Sequence, residues 1–430
     1  MATATTDRTT NPSPSKPNRQ RGAANGQSNQ SKAFGTDTTS ASIQSSKPLP
    51  KGIGHSYTEL IQSPSPAPTD WAASCTHQEC TLHQLSPYIG KLKSTIAHYL
   101  LSKYTSPGDL IADPFSGSGT IALQAALLGR RVFASDVSLY ATTLTRAKLF
   151  SPTSESAALG RLESIFRHVA RQPLPDLTEV PPWVRSFFHP RTLQETIRLA
   201  KYLKSRSLHF FLASLLGILH HQRPGFLSYP SSNLVPYLRS RKFPRSDFPE
   251  LYEYRSVNDR LRAKVSRAMK RAPKEDLTKF VVTVRRSSVE NLTLNNSIDC
   301  AITSPPYMNA LDYIRDNRLR LWLIGGDISD SKERTCDSMK NFTSAIRATA
   351  RQFEANLKLN GHCIFVIGEK TSRNGDRYPS EELASTFLEH APSFQLQKII
   401  CDQIPDIRRA RRNSAGTKKE NTLVFRKVSS

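Results

Sequence analysis

The stretch from Leu110 to Asp136 leaves this chain few folds to choose from. Leu110-Ile111-Ala112 is a short apolar run that follows the turn pair Pro107-Gly108 and stops at Asp113. Asp113-Pro114-Phe115-Ser116-Gly117-Ser118-Gly119-Thr120 comes next. Thr120 then opens a helix in which Ile121, Leu123, Ala125, Ala126, Leu127 and Leu128 face inward, and Gly129 ends it. A second apolar run, Val132-Phe133-Ala134, finishes at Asp136. Strand, glycine loop, helix and strand in this order predict a parallel βαβ unit. Ahead of it, Ile96, Ala97, Leu100, Leu101 and Tyr104 have the spacing of a helix over Ser94–Tyr104.

Around this unit the chain divides into four segments. Residues 1–55 are Ser, Thr, Asn, Gln, Pro, Lys and Gly with almost no large apolar side chains, so they cannot offset their ordering entropy and read as a disordered tail. Residues 56–140 hold the βαβ unit. Residues 141–279 change character, with helical stretches at Leu193–Ser205, Phe210–His220 and Val257–Ala272 between Pro- and aromatic-rich loops. This segment is strongly basic, including Arg239, Arg241, Lys242, Arg245, Arg260, Arg262, Lys264, Arg267, Lys270 and Arg271. In residues 280–430 strands return at Phe280–Val284, Ile298–Ile302 and Cys363–Ile367, with Gln395–Cys401 and Thr422–Phe425 as a closing pair. The expected architecture is an α/β, Rossmann-like sheet interrupted by a mainly helical basic insertion.

The glycine loop sits where open α/β sheets bind ligands, at the carboxyl ends of the strands. Glycines allow close backbone approach and φ angles that other residues resist. Gly117-x-Gly119-x-x-Ala122 also fits a dinucleotide fingerprint, which on its own is a weak signal. Asp136 can accept from both ribose hydroxyls of an adenosine-containing cofactor. Two details favour S-adenosylmethionine. Asp113 would repel a pyrophosphate yet can hold the cationic amino group of methionine. No Gly-Lys-Ser/Thr follows, so a nucleotide-triphosphate loop is excluded.

A second motif leaves the expected Ile298–Ile302 strand: Thr303-Ser304-Pro305-Pro306-Tyr307. Two prolines stiffen this turn and supply carbonyls that no ladder uses. An exocyclic amino nitrogen of cytosine or adenine is a poor nucleophile, because its lone pair is delocalised into the ring. Acceptors on its N–H bonds, the Ser304 hydroxyl and the Pro305 carbonyl, would turn that lone pair toward an electrophile. Tyr307 offers a face on which an extruded base can stack. Ser304 is then a hydrogen-bonding residue and not a covalent nucleophile.

Together the two motifs resemble the amino-group DNA methyltransferases, the N4-cytosine and N6-adenine family. In that resemblance Asp113, Pro114, Phe115, Gly117, Ser118, Gly119 and Thr120 form the cofactor motif. Asp136 is the ribose-binding acid, and Ser304, Pro305, Pro306 and Tyr307 are the catalytic motif. Ser86-Pro-Tyr-Ile-Gly-Lys-Leu92 looks like the segment that closes over the methionine end, which makes Lys91 a cofactor contact. Ser at the first catalytic position goes more often with cytosine N4, and Asp or Asn with adenine N6. Two departures stand out: Ser287-Ser288 occupies the place of an acid near the cofactor's adenine, and the insertion follows the second strand. The resemblance implies S-adenosylmethionine as cofactor and double-stranded DNA as partner, and allows a restriction endonuclease as a second partner.

Bulk properties agree with this reading. Sixty Lys plus Arg against 36 Asp plus Glu give a net charge of +24 over 430 residues, which favours a polyanionic partner. Six scattered cysteines make no disulfide framework, and the N-terminus has no apolar run for a signal peptide. The expectation is a cytoplasmic, nucleoid-associated protein without a membrane span. Cys75, His77, Cys80 and His83 are close enough for a zinc knuckle, but no second ligand pair accompanies them and no metal is expected. Arg408-Arg409-Ala410-Arg411-Arg412 suits either a solvated loop or phosphate contacts. An RNA methyltransferase is the main alternative. A catalytically silent DNA-binding protein and an NAD-dependent oxidoreductase stand behind it.

Overall fold

The strands in the computed structural model are β1 (Ser65–Pro66), β2 (Leu110–Asp113), β3 (Arg131–Asp136), β4 (Val281–Arg286), β5 (Ile298–Thr303), β6 (Leu357–Glu369), β7 (Phe394–Gln403) and β8 (Lys419–Lys427). The structure describes residues 57–72, 79–221, 225–232, 236–294, 297–306, 312–325, 338–369, 379–404 and 419–429. The expected disordered tail lies outside them, as do Cys75, His77, Tyr307 and Arg408–Arg412. All eight strands join one sheet in the order β1-β7-β8-β6-β5-β2-β3-β4. Every pairing is parallel except the two made by β8, which runs against β6 and β7. The Rossmann-like α/β expectation holds, with an antiparallel strand threaded near one edge.

Alternation along the strands explains why helices cover both faces. Ile111, Val132, Ala134, Cys300, Ile302, Ile364 and Val366 point into one apolar cluster. Ala112, Phe133, Ala301, Cys363, Phe365 and Ile367 point into the other. In the second cluster Phe365, Phe387 and Phe425 meet edge-on or tilted, with centroids 4.7–6.1 Å apart. Each fully buried Phe of this kind contributes roughly 1.5–3 kcal/mol by leaving water.

The first helix after the glycine loop, Thr120–Leu127, and the next, Leu139–Leu149, pack against each other on the first face. Beyond them lie the helices Glu155–Ala170, Pro190–Ser205, His209–Gly217 and Val257–Met269. His209–Gly217 is apolar all round and buried almost throughout, because it lies between Leu139–Leu149 on one side and its neighbours on the other. These helices belong to the same compact unit as the sheet, Leu49–Ser430. Among the described residues, no helix is long and apolar enough to cross a membrane.

β2 is where the order of the sheet reverses. β3 pairs on one side of it and β5 on the other, so the loops after β2 and β5 leave the same edge of the sheet. A crevice at such a point is the usual ligand site of an open α/β sheet. Both sequence motifs open into it.

Candidate active site

β2 ends at Asp113, which is buried, and β5 ends at Thr303, which is fully buried. The Thr303 hydroxyl donates to Asp113 Oδ1 at 2.7 Å and accepts from the Phe115 amide at 3.3 Å. The last residue of one motif strand thus holds both the carboxylate and the backbone of the other. Asp136, at the end of β3, closes the loop from the far side. Its Oδ2 accepts from the Gly117 amide at 2.8 Å and its Oδ1 from the Ser138 amide at 2.9 Å.

These bonds leave the glycine loop poor in free donors. The Ser116 amide goes to the Ser135 carbonyl at 2.9 Å and the Gly119 amide to the Ser116 carbonyl at 2.7 Å. With the Gly117 amide on Asp136 as well, three candidates for a phosphate nest are already used. Two carboxylates at the strand ends complete a surface that repels pyrophosphate and suits a ligand with an ammonium group and a ribose. Burial pushes Asp113 up to about 7, reinforced by the charge of Asp136 and opposed by the Thr303 hydroxyl and the Phe115 amide. Burial likewise raises Asp136 to about 6, against the amides of Ser138, Gly117 and Val137.

The two glycines have different tasks. Gly117 has φ +49°, and a Cβ there would stand 3.4 Å from the ring of Tyr88, an ordinary contact. Gly119 has φ +71°, and a Cβ there would come within 2.8 Å of the Thr145 backbone. Gly119 therefore lets the Leu139–Leu149 helix approach. Ser118 and Thr120 bond to each other at 3.2 Å and are buried at the start of the Thr120–Leu127 helix. The Pro114 carbonyl accepts from Ser135 Oγ at 3.4 Å.

On the side of the second motif, Ser304 follows Thr303 directly, and its hydroxyl donates to the Val366 carbonyl of β6 at 3.0 Å. A serine hydroxyl has one proton and two lone pairs. With the proton committed to β6, Ser304 can only accept from a further partner. Pro305 and Pro306 follow at the mouth of the crevice, Pro305 buried and Pro306 partly so.

Lys91, expected to contact the cofactor, sits on the segment Ser86–Leu92. It donates to the His83 carbonyl at 2.9 Å, and burial lowers its pKa while the carboxylate of Glu79 opposes the shift. Lys148, fully buried and without a hydrogen-bond partner, belongs to the same neighbourhood and is lowered by burial to about 7. His83 is buried too, bonded through Nε2 to Gln124 at 2.9 Å, and burial holds it neutral. Among the described residues no group of three His, Cys, Asp or Glu could hold a metal.

Several residues of the crevice have no role that the sequence alone reveals. Tyr88 stacks on Tyr140 at 5.9 Å and meets Tyr313 at 6.1 Å, so three rings gather beside Gly117. The Tyr140 hydroxyl donates to the Pro87 carbonyl at 2.6 Å and meets Ser86 Oγ at 2.7 Å, which ties the Ser86–Leu92 segment over the loop. Tyr88 is part of that segment, and Thr303 is part of the catalytic motif. Neither stands out in the sequence, because the partner of each is distant along the chain.

Residues 36–146 match the model of a DNA methylase family, the N6/N4 methyltransferases. The Type II methyltransferase M.MjaII of Methanocaldococcus jannaschii is 34% identical over 68 residues, which is 16% of this chain and 13% of that protein. The chain thus spans about an eighth of the length of that curated relative, 13%. Among solved structures, TrmN from Thermus thermophilus aligns with 81% of this chain and 52% of its own, at 14% identity and a TM-score of 0.32. The rRNA methyltransferase aviRa from Streptomyces viridochromogenes aligns over 82% and 95%, at 12% identity and a TM-score of 0.29. The family match covers the glycine loop and Asp136, the first of the two motifs, and ends well before Ser304.

Proposed function

We propose that this chain transfers a methyl group from S-adenosylmethionine to an exocyclic amino group of a base in DNA, with cytosine N4 favoured and adenine N6 as the alternative. The carrying observation is the commitment of the Ser304 proton to Val366, one residue from the Thr303–Asp113 bond. It puts a pure acceptor beside a pocket built for an ammonium group. S-adenosylmethionine, when bound, supplies an electrophilic sulfonium methyl group.

The residues of the chain do the rest by position and charge. Asp136 offers its remaining lone pairs to the ribose hydroxyls, and Asp113 faces the amino-acid end. Ser304 accepts from one N–H of the substrate amino group, which draws the nitrogen lone pair out of conjugation with the ring. The Pro305 carbonyl is the second acceptor of this scheme, and Tyr307 the stacking face. DNA is favoured over RNA by the family model and by the Type II name of the curated relative. The basic segment 141–279 then serves to hold the duplex. A restriction endonuclease partner belongs to the same proposal.

The test is direct. Purified protein is incubated with methyl-labelled S-adenosylmethionine and unmodified DNA or RNA, and the digested nucleosides are separated by mass. Label in N4-methylcytosine from DNA is expected. Label in N6-methyladenine would reassign the base, and label in RNA alone would overturn the DNA reading.

A further inference from the structure

Thr303 is a fully buried, β-branched residue at the junction of the two motifs. Its hydroxyl acts in both directions, giving its proton to Asp113 Oδ1 and taking that of the Phe115 amide. Its backbone continues into Ser304, whose own hydroxyl is anchored on β6. Val at this position would fill the same space and make neither bond. The bland role for such a residue is sheet packing, which the methyl group alone would serve.

We propose that Thr303 is a positioning residue that fixes the Asp113 carboxylate for the ammonium group of the cofactor's amino-acid end and links that carboxylate to the turn carrying Ser304. This role rests on S-adenosylmethionine being the cofactor. β2 and β5 pair through Ile111↔Cys300 and Ala112↔Ala301, so the ladder ends just before Asp113 and Thr303. Beyond the ladder the side-chain bond takes over and holds the two strand ends together. A stiff χ1 makes threonine suited to this, since few rotamers compete with the bonded one.

The charges around Asp113 sharpen the role. Asp136, on the adjacent β3, disfavours its ionised form, and burial disfavours it more. Two donors act the other way, Thr303 from β5 and the Phe115 amide from its own loop, and that amide is itself bonded to the Thr303 hydroxyl. Removing the Thr303 hydroxyl therefore weakens both aids to ionisation. At neutral pH a larger share of Asp113 is then protonated, and a neutral carboxyl attracts an ammonium group far less.

The experiment compares two ligands by calorimetry from mildly acidic to mildly alkaline pH, on the full chain. S-adenosylhomocysteine carries the amino-acid end, while 5′-methylthioadenosine has the same adenine and ribose but lacks it. Thr303→Val should weaken S-adenosylhomocysteine about 10-fold at neutral pH, the size expected for a lost bond to a charged group. It should also move the midpoint of the pH profile up by about one unit. Binding of 5′-methylthioadenosine should stay within about twofold, and Thr303→Ser should restore the first ligand. Should Thr303→Val give no folded protein, Thr303→Cys replaces it, its thiol being a weak donor, with a smaller loss in the same direction. Equal loss of both ligands, unchanged S-adenosylhomocysteine affinity, or an unmoved pH midpoint would overturn the proposal. Failure of the unaltered chain to bind either ligand would overturn the cofactor reading itself, and this inference with it.

Discussion

The Ser304 hydroxyl donates to the Val366 carbonyl at 3.0 Å, and this bond ties the turn after β5 to its neighbour β6. It fixes the rotamer and leaves the oxygen lone pairs for a substrate N–H. Ser304→Ala should therefore slow methyl transfer by roughly two to three orders of magnitude, the size of one oriented hydrogen bond at a reacting centre. Affinity for S-adenosylhomocysteine should be unchanged. Single-turnover rates with saturating cofactor measure this, and a full rate in the variant would remove Ser304 from the chemistry.

Gly119 and Asp136 separate folding from binding. A Cβ at Gly119 would press on the Thr145 backbone at 2.8 Å, in a conformation with φ +71°. Gly119→Ala should lower the unfolding temperature of the chain with or without ligand. Asp136→Ala removes the acceptor of the Gly117 and Ser138 amides but leaves the helix contact alone. It should cost at least about 10-fold in S-adenosylhomocysteine affinity with a smaller effect on stability. Thermal unfolding together with calorimetry on both variants checks the division. Loss of affinity for Gly119→Ala at unchanged unfolding temperature would contradict it.

On the proposed function, cofactor binding should depend on pH through Asp113 and Asp136. Burial raises the two carboxyls to about 7 and about 6. Binding an ammonium group and ribose hydroxyls favours the ionised forms, so binding releases protons below about pH 7. Affinity should fall toward 10-fold per pH unit from there and more steeply below about pH 6, where both groups hold protons. In the ligand-free chain the sign is different. A carboxyl raised on folding stabilises most below its unfolded value, near 3.8, and that contribution is lost as pH rises through about 6 to 7. Asp113→Asn should accordingly raise the unfolding temperature of the ligand-free chain at about pH 8 more than at about pH 5. Calorimetry of S-adenosylhomocysteine in buffers of different ionisation heat counts the protons, and no release at about pH 6 would refute the assignment.

How much of this is legible in the sequence differs from place to place. The helix Ser94–Tyr104 has the bounds its periodicity gives, because its apolar stripe is long and its end is marked by the Pro107-Gly108 turn. The apolar pattern marks β6 only from Cys363, whereas the strand begins at Leu357. Asn360-Gly361 looks like a turn, and Asn360 does adopt a left-handed φ of +66°. It does so inside the strand, at an irregularity where pairing jumps from Ile298↔Leu357 to Cys300↔His362. The glycine loop and the Ser304 turn are legible because local chemistry defines them. The Thr303–Asp113 bond and the Tyr88 ring over Gly117 are not, since only the folded sheet brings such distant residues together.

The basic segment is where charge has to be separated into spent and available. Arg262, on the Val257–Met269 helix, pairs with Glu163 at 2.5 Å and Asp259 at 2.7 Å, and Arg271 donates to the Glu79 carbonyl at 3.0 Å. Those cations are engaged within the chain. In the loop before that helix Arg241, Lys242 and Arg245 are exposed. Phe243 lies under Arg239 and Lys242, and Tyr252 under Arg245, at 5.6–5.7 Å, so the rings prop the cations. Arg318 joins this loop to the helix Tyr313–Ile324, donating to the Pro236 carbonyl at 2.9 Å and covering Trp183 at 5.0 Å. The same helix carries Tyr313 against Tyr88, beside the glycine loop, so the basic loop is tied to the wall of the crevice. If the segment holds DNA, its phosphates belong here. Changing Arg241, Lys242 and Arg245 to Gln should weaken DNA binding and reduce the log-log salt slope by about one for each phosphate no longer neutralised. Arg262→Gln should leave the slope unchanged, because an exposed internal pair of this kind is worth about 0–1 kcal/mol and touches no phosphate. Fluorescence titrations at several salt concentrations give both slopes, with S-adenosylhomocysteine affinity as the control for an intact fold. An unchanged slope in the three-residue variant would take the loop out of the DNA surface.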